Sequence, residues 1–288
     1  MIASFQRRDL YFYPALFAAW ALFLFIRYAG HQYFDTPLPT AGIERIKGGM
    51  STHSLLRASL AELQNNLIEE KDKTEKPHIL QNIGCAYYDL YKETGDRMLL
   101  DSALAFIYQS TIEGPGIARF HYNFGRMFTE IGDQKRALQQ YELALKYEPM
   151  HILALSNAGT CSYFAFNQRT TAAGYFGRAL AIDSLMPMCN VVLGLISIDE
   201  KDYAAARTSF EKELAADAAA ALRNRYPLSL ENINYAAMLS HQNLMTLYCT
   251  AFHDSKRGRE HLDAALNLEP DPAKRQEMIK EFGRYTGK

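Results

Sequence analysis

Residues 118–151 read ARFHYNFGRMFTEIGDQKRALQQYELALKYEPMH, and the spacing of small and bulky side chains in this stretch decides the fold. Read from Gly125, Phe128 follows at +3, Gly132 and Asp133 at +7 and +8, Ala137 at +12, Tyr141 at +16, Ala144 at +19 and Pro149 at +24. Gly125 and Ala137 are small enough for two helices to approach closely. Phe124, Phe128 and Tyr141 fill the space around that contact at helical spacing. Gly132-Asp133 makes the turn between them. Pro149 stops the second helix, because it supplies no amide hydrogen and disfavours helix in the residue before it. A lone hairpin leaves one apolar face open, so neighbours must stack on it.

The pattern recurs on both sides. After His151, the residues Leu155, Ala158, Gly159, Ala172, Phe176, Ala179 and Leu180 keep it, with one more residue between glycine and alanine and Ser184 in place of the proline. Leu193, Gly194, Ala206, Phe210 and Leu214 follow in register, but Glu213 stands where Ala144 and Ala179 stood. Upstream, Leu80, Ile83, Gly84 and Tyr87 open a hairpin that Ala103, Ile107, Ser110 and Pro115 close, with an insertion near Gly95-Asp96 that lengthens both helices. Met245, Cys249, Leu262, Ala265, Leu266 and Pro270 fit weakly in a first helix and well in a second. These spacings resemble the tetratricopeptide (TPR) repeat, a helix-turn-helix unit of ~34 residues. The resemblance covers roughly residues 77–272 and implies an all-α fold, a TPR-type α-solenoid of about five hairpins. They divide as 77–117, 118–151, 152–186, 187–220 and 221–272.

The last of these departs from the family. Ala215, Ala216, Ala218, Ala219, Ala220 and Ala221 run through the place where a proline should stop the helix, and alanine is the best helix former. The second helix of the fourth hairpin is expected to overrun to about Asn224. Pro227 then opens a long helix from about Leu228 to Phe252. The corner so formed is read either as a local irregularity of the solenoid or as a contact surface. At the ends, residues 51–76 carry the stripe Leu56, Leu60, Leu63 and Leu67 and form an amino-terminal capping helix, with Ser51 or Thr52 as its cap. Residues 273–288 form the carboxy-terminal cap and tail, with Met278, Ile279 and Phe282 on one side and charged residues elsewhere.

The amino terminus is a different material. After a short flank, 1–9, comes the segment 10–30, in which the run from Leu10 to Ile26 is apolar on all sides and holds no charged residue. At ~1.5 Å per residue those seventeen span about 25 Å, which Tyr28, Ala29 and Gly30 extend toward the ~30 Å core of a bilayer. A single-pass transmembrane signal-anchor is the reading. A cleaved signal peptide competes with it, but neither Ala29 nor Gly30 has a small residue three before it. Residues 31–50, with Pro37, Pro39, Gly42, Gly48 and Gly49, read as a spacer. Arg7, Arg8 and the amino group favour a cytoplasmic amino end and extracytoplasmic repeats, while Arg27, Arg45 and Lys47 on the far flank argue for cytosolic ones.

A net charge of -1 with 22% charged residues gives no whole-chain attraction to nucleic acid. Cys85, Cys161, Cys189 and Cys249 lie isolated in expected helices and read as buried thiols. No H-E-x-x-H, G-x-x-x-x-G-K-[ST], G-x-S-x-G or G-x-G-x-x-G motif occurs, so no enzyme, cofactor or metal site is expected. His253 and His261 flank an expected turn, in which His253-Asp254 stands in for Gly-Asp. His121 takes the place of a bulky first-helix residue and reads as packed.

Binding is then argued from the concave face, which the first helix of each hairpin lines in TPR proteins. The residue two before the anchoring glycine is Asn82, Asn123 and Asn157 in successive hairpins. An asparagine amide carries both donors and an acceptor and suits the main chain of an extended peptide, although asparagine is also common there in TPR repeats. Arg119, Tyr122, Asn123 and Arg126 are expected to share the exposed face of one helix, where two guanidiniums beside a ring would suit an acidic peptide. The same arginines also read as merely solvated. Together these features describe a membrane-anchored scaffold or adaptor that binds a protein or peptide partner, with the bilayer reached through residues 10–30. A receptor for targeting or chaperone complexes, or an accessory subunit of an envelope polymer-assembly system, are the alternatives.

Overall fold

The computed structural model describes residues 52–69, 74–223 and 230–287, and the expected anchor, spacer, Ser51 and Pro227 lie outside them. Among the described residues there are twelve α-helices, and none is long and apolar enough to cross a membrane. They fall into two compact units that divide between Ala154 and Leu155.

The first unit holds α1 (Thr52–Glu69), α2 (Lys76–Thr94), α3 (Arg97–Glu113), α4 (Ala118–Glu130) and α5 (Gln134–Tyr147). α1 lays Leu60 and Leu63 against Ile83, Ala86 and Leu90 of α2, with Leu67 packed at the edge. Each buried leucine contributes roughly 1.5–3 kcal/mol, enough to hold a helix that has no hairpin partner. Gln64 Nε2 also donates to the Tyr87 hydroxyl at 3.1 Å. In the α4–α5 hairpin a Cβ on Gly125 would stand 2.7 Å from the Tyr141 ring and 3.1 Å from the Ala137 carbonyl oxygen, so only glycine fits. Gly84 faces Ile107 and Ala103 in the same way between α2 and α3. The turns use left-handed glycines, Gly95 at φ 72 and Gly132 at φ 86, each followed by an aspartate that caps the next helix. Asp96 accepts from Met98 N and Asp133 from Arg136 N, both at 2.9 Å. α2 and α3 run to 19 and 17 residues, against 13 and 14 in α4 and α5.

α6 (Ile152–Phe164) starts at the boundary, and the second unit continues with α7 (Arg169–Ile182), α8 (Cys189–Asp199) and α9 (Tyr203–Arg223). It ends with α10 (Leu230–Thr250), α11 (Ser255–Leu268) and α12 (Pro272–Thr286). A Cβ on Gly159 would press on the Phe176 ring at 2.9 Å, and one on Gly194 on the Phe210 ring at 2.6 Å. Asn167, Lys201 and His253 hold the left-handed turn positions here, at φ 53, 64 and 53. Asp202 and Asp254 then cap α9 and α11 through Ala205 N at 2.9 Å and Arg257 N at 3.0 Å. α9 passes through the alanine run to Arg223, and α9 and α10 both reach 21 residues. The core gathers Val191, Leu195, Phe210, Leu239, Met245 and Leu262, and α12 closes it with Met278. Ile279 does not join that side as expected but is 40% exposed, because the next residue along a helix turns about 100° away.

Candidate functional site

The residues singled out on α4 are not an exposed face. Tyr122, Asn123 and Arg126 are buried and Arg119 is half-buried, which corrects the expectation of solvated side chains. The offsets do place them on one side of the helix, but other parts of the unit cover that side. Arg119 meets His78 Nδ1 of α2 at 3.2 Å. Arg126 is paired with Glu130 one turn on, at 3.7 Å, and lies over the Tyr122 ring at 5.9 Å. Glu130 accepts a short hydrogen bond from the Tyr88 hydroxyl of α2. Burial, with Glu130 alongside, pushes the Tyr88 phenol well above its ordinary range, so it stays a donor. Tyr122 itself packs against Tyr141 and His151, at ring separations of 6.1 and 4.8 Å.

Asn123 sits among these groups with a different status. Its Oδ1 is buried and has no hydrogen-bond partner among the described residues. Leaving such an acceptor unmet costs about 1–3 kcal/mol. Asn82, on α2, is half-buried, and Asn157 is half-buried on α6 in the second unit. Tyr88 and His78 are the members of this network that spacing on one helix could not point to. The i, i+4 relation of Arg126 and Glu130 was the one available signal.

Other sequence candidates resolve into structure. His121 is buried, stacks on Tyr147 at 5.5 Å and bonds Gln140 Oε1 at 2.9 Å and the Pro115 carbonyl at 3.1 Å. His253 serves the turn, while His261 pairs not with it but with His241. All four cysteines are buried and free of disulfides, and burial raises Cys85 to about 12. Glu213 is fully buried because its carboxylate caps α8, accepting from Met188 N at 2.6 Å and Asn190 N at 3.0 Å. That explains the glutamate at an alanine position: α8 has Met188 before it, which offers no capping oxygen. Burial pushes the Glu213 carboxyl up to about 7 against the pull of the backbone N–H groups of Met188, Asn190 and Val191. Among the described residues no three His, Cys, Asp or Glu side chains are grouped so as to hold a metal ion.

Stacked helical hairpins with small residues at their contacts, and polar groups engaged in packing, define a class: the helical-repeat protein. The particular repeat is identified by its family model, Tetratricopeptide repeat, which matches residues 118–151. That segment is a TPR repeat, and the fold around it is the one TPR proteins share. No curated protein matches the chain. Among solved structures, MamA has 16% sequence identity over 65% of this chain and 96% of its own, with a TM-score of 0.50. PilF of Pseudomonas aeruginosa has 15% identity over 80% of this chain and 100% of its own, at 0.51. YrrB, described as a TPR protein with an unusual peptide-binding site, has 18% identity over 76% and 97%, at 0.50. None of these likenesses points to an enzyme family.

Proposed function

We propose that the protein is a membrane-anchored scaffold whose α4 holds an extended segment of a partner protein by its main chain. The observation that carries this is the TPR repeat matched over residues 118–151, whose first helix, α4, occupies the position that lines the inner face in TPR arrays. Asn123, whose Oδ1 is sealed from solvent and unmet, turns its amide outward to take a peptide N–H, the group every extended segment offers. An acidic ligand fits less well than the arginines alone implied, since Glu130 already offsets the charge of Arg126. The peptide-binding site described for YrrB supports the same reading. Residues 10–30 supply the anchor and 31–50 the spacer, with the repeats on the extracytoplasmic side as Arg7 and Arg8 favour.

The test uses the full chain, solubilised from membranes and used to capture its partner, beside an Asn123→Ala variant. Recovery of the partner should fall about tenfold in the variant, the order expected for ~1.4 kcal/mol, while the melting temperature holds. Undiminished recovery would place the partner elsewhere. Protease protection of the repeats in sealed vesicles tests the orientation, and digestion of the repeats from the cytoplasmic side would reverse it.

A further inference from the structure

α10 and α11 meet through two imidazoles that the proposed scaffold role does not use. His241 Nδ1 and His261 Nδ1 lie 2.9 Å apart, and Tyr248, part of the unit's core, stacks on the His261 ring at 5.4 Å and 9°. Both histidines are half-buried. An Nδ1–Nδ1 hydrogen bond needs one ring to donate and the other to accept, so a neutral or singly protonated pair closes it. A doubly protonated pair cannot, and sets two positive charges against each other. The surrounding charges do not rescue that state. Glu211 of α9 and Glu260 of α11 favour charge on His261, but burial, joined by Arg257, outweighs them. α12 brings Tyr285, bonded to Glu281 at 2.8 Å, only as far as Thr246 of α10.

We propose that the His241–His261 pair is an acid-sensitive latch, which holds α10 to α11 near neutral pH and releases this end of the second unit as pH falls. Burial first, and His261 second, push the His241 imidazole down from 6.5 to about 4. A histidine with a lower pKa in the closed state stabilises that state above its ordinary pKa, and the contribution is lost as pH falls from about 6.5 toward 4. Glu213, in the same unit, titrates in the opposite sense, so the measurement must be local and made by difference.

Hydrogen exchange of the full chain, resolved by peptide and corrected for the intrinsic rate, reads the latch directly. Between about pH 7 and about pH 5, opening of α10–α11 should become ~20-fold more frequent if opening restores the ordinary pKa of His241, trimmed toward fivefold by solvent at the half-buried edge. A His241→Gln/His261→Gln double variant should lose that acceleration. The imidazole titration of the unmodified chain, followed by magnetic resonance, should show His241 ionising well below 6.5, and this reading stands even if the double variant fails to fold. The proposal is overturned if exchange in α10–α11 changes less than about twofold, if the double variant accelerates equally, or if both imidazoles titrate at about 6.5 or above.

Discussion

Replacing Glu213 by alanine should cost the second unit a helix cap, and the size of that cost should depend on pH. The carboxylate accepts from Met188 N at 2.6 Å and Asn190 N at 3.0 Å, and Val191 adds a third backbone bond. Charge-assisted bonds of this kind contribute ~1.5–3 kcal/mol each, so the two to Met188 and Asn190 alone amount to roughly 3–6 kcal/mol. Burial opposes this. Raising the carboxyl from 4.5 to about 7 costs the ionised form ~3 kcal/mol, at about 1.36 kcal/mol per tenfold. The sign follows from proton linkage. A raised folded-state pKa stabilises the fold fully below 4.5, and that stabilisation is lost as pH rises through about 7. Urea unfolding of the wild type and Glu213→Ala should therefore differ by about 2 kcal/mol near pH 8 and by roughly 4–5 kcal/mol near pH 5. Glu213→Gln, which mimics the protonated acid, should fall between them and lose the pH dependence. A penalty equal at both pH values, or below about 0.5 kcal/mol at both, would refute the capping argument.

Three further substitutions probe the packing and the site. Gly125→Ala should destabilise by ~1–3 kcal/mol despite the better helix former, because the new Cβ meets the buried Tyr141 ring at 2.7 Å; thermal melting checks it. Gly174→Ala, on α7 with nothing within 4 Å of the new methyl, should instead raise stability by about 0.5–1 kcal/mol in the same assay. Arg126→Ala should cost ~2–3 kcal/mol by removing a buried side chain that lies over Tyr122 and pairs with half-buried Glu130, whereas Asn123→Ala should leave unfolding within about 1 kcal/mol of wild type. If the two variants are equally unstable in urea, Asn123 is a packing residue and its acceptor is met in solution.

What the sequence made legible was governed by contacts within a hairpin. Gly125, Ala137 and Tyr141 lie close enough along the chain for spacing to report their meeting, and so do the Gly-Asp turns. Even His253 was placed correctly in its turn, since Asp254 after it carries the capping signal. The fate of Arg126 was hidden because Tyr88, which anchors its partner Glu130, comes from the preceding hairpin at a separation of 42 residues from Glu130. A helical wheel shows which residues share a side but not which side is covered. Glu213 was visible as a departure, yet its reason depends on the start of α8 lacking a capping oxygen, a tertiary relation with no local mark. The same holds for His241 and His261, which the sequence left apart.

The lengthened α2–α3 hairpin has a consequence for how such a protein can vary. Compared with α4–α5, four more residues separate Gly84 from the Gly95-Asp96 turn, and three more separate that turn from Ala103. Each insertion is close to the ~3.6 residues of one helical turn. The two helices grow by a turn apiece without rotating, so Gly84 still confronts Ile107 as Gly125 confronts Tyr141. Insertions of one or two residues within a helix would swing the small side chains out of contact, whereas the one extra residue between Gly159 and Ala172 falls in the connection 165–168 and leaves Gly159 against Phe176. Helix length between seam and turn is thus free to change only in whole turns, a quantisation that lets one hairpin outgrow its neighbours while its seam stays in phase.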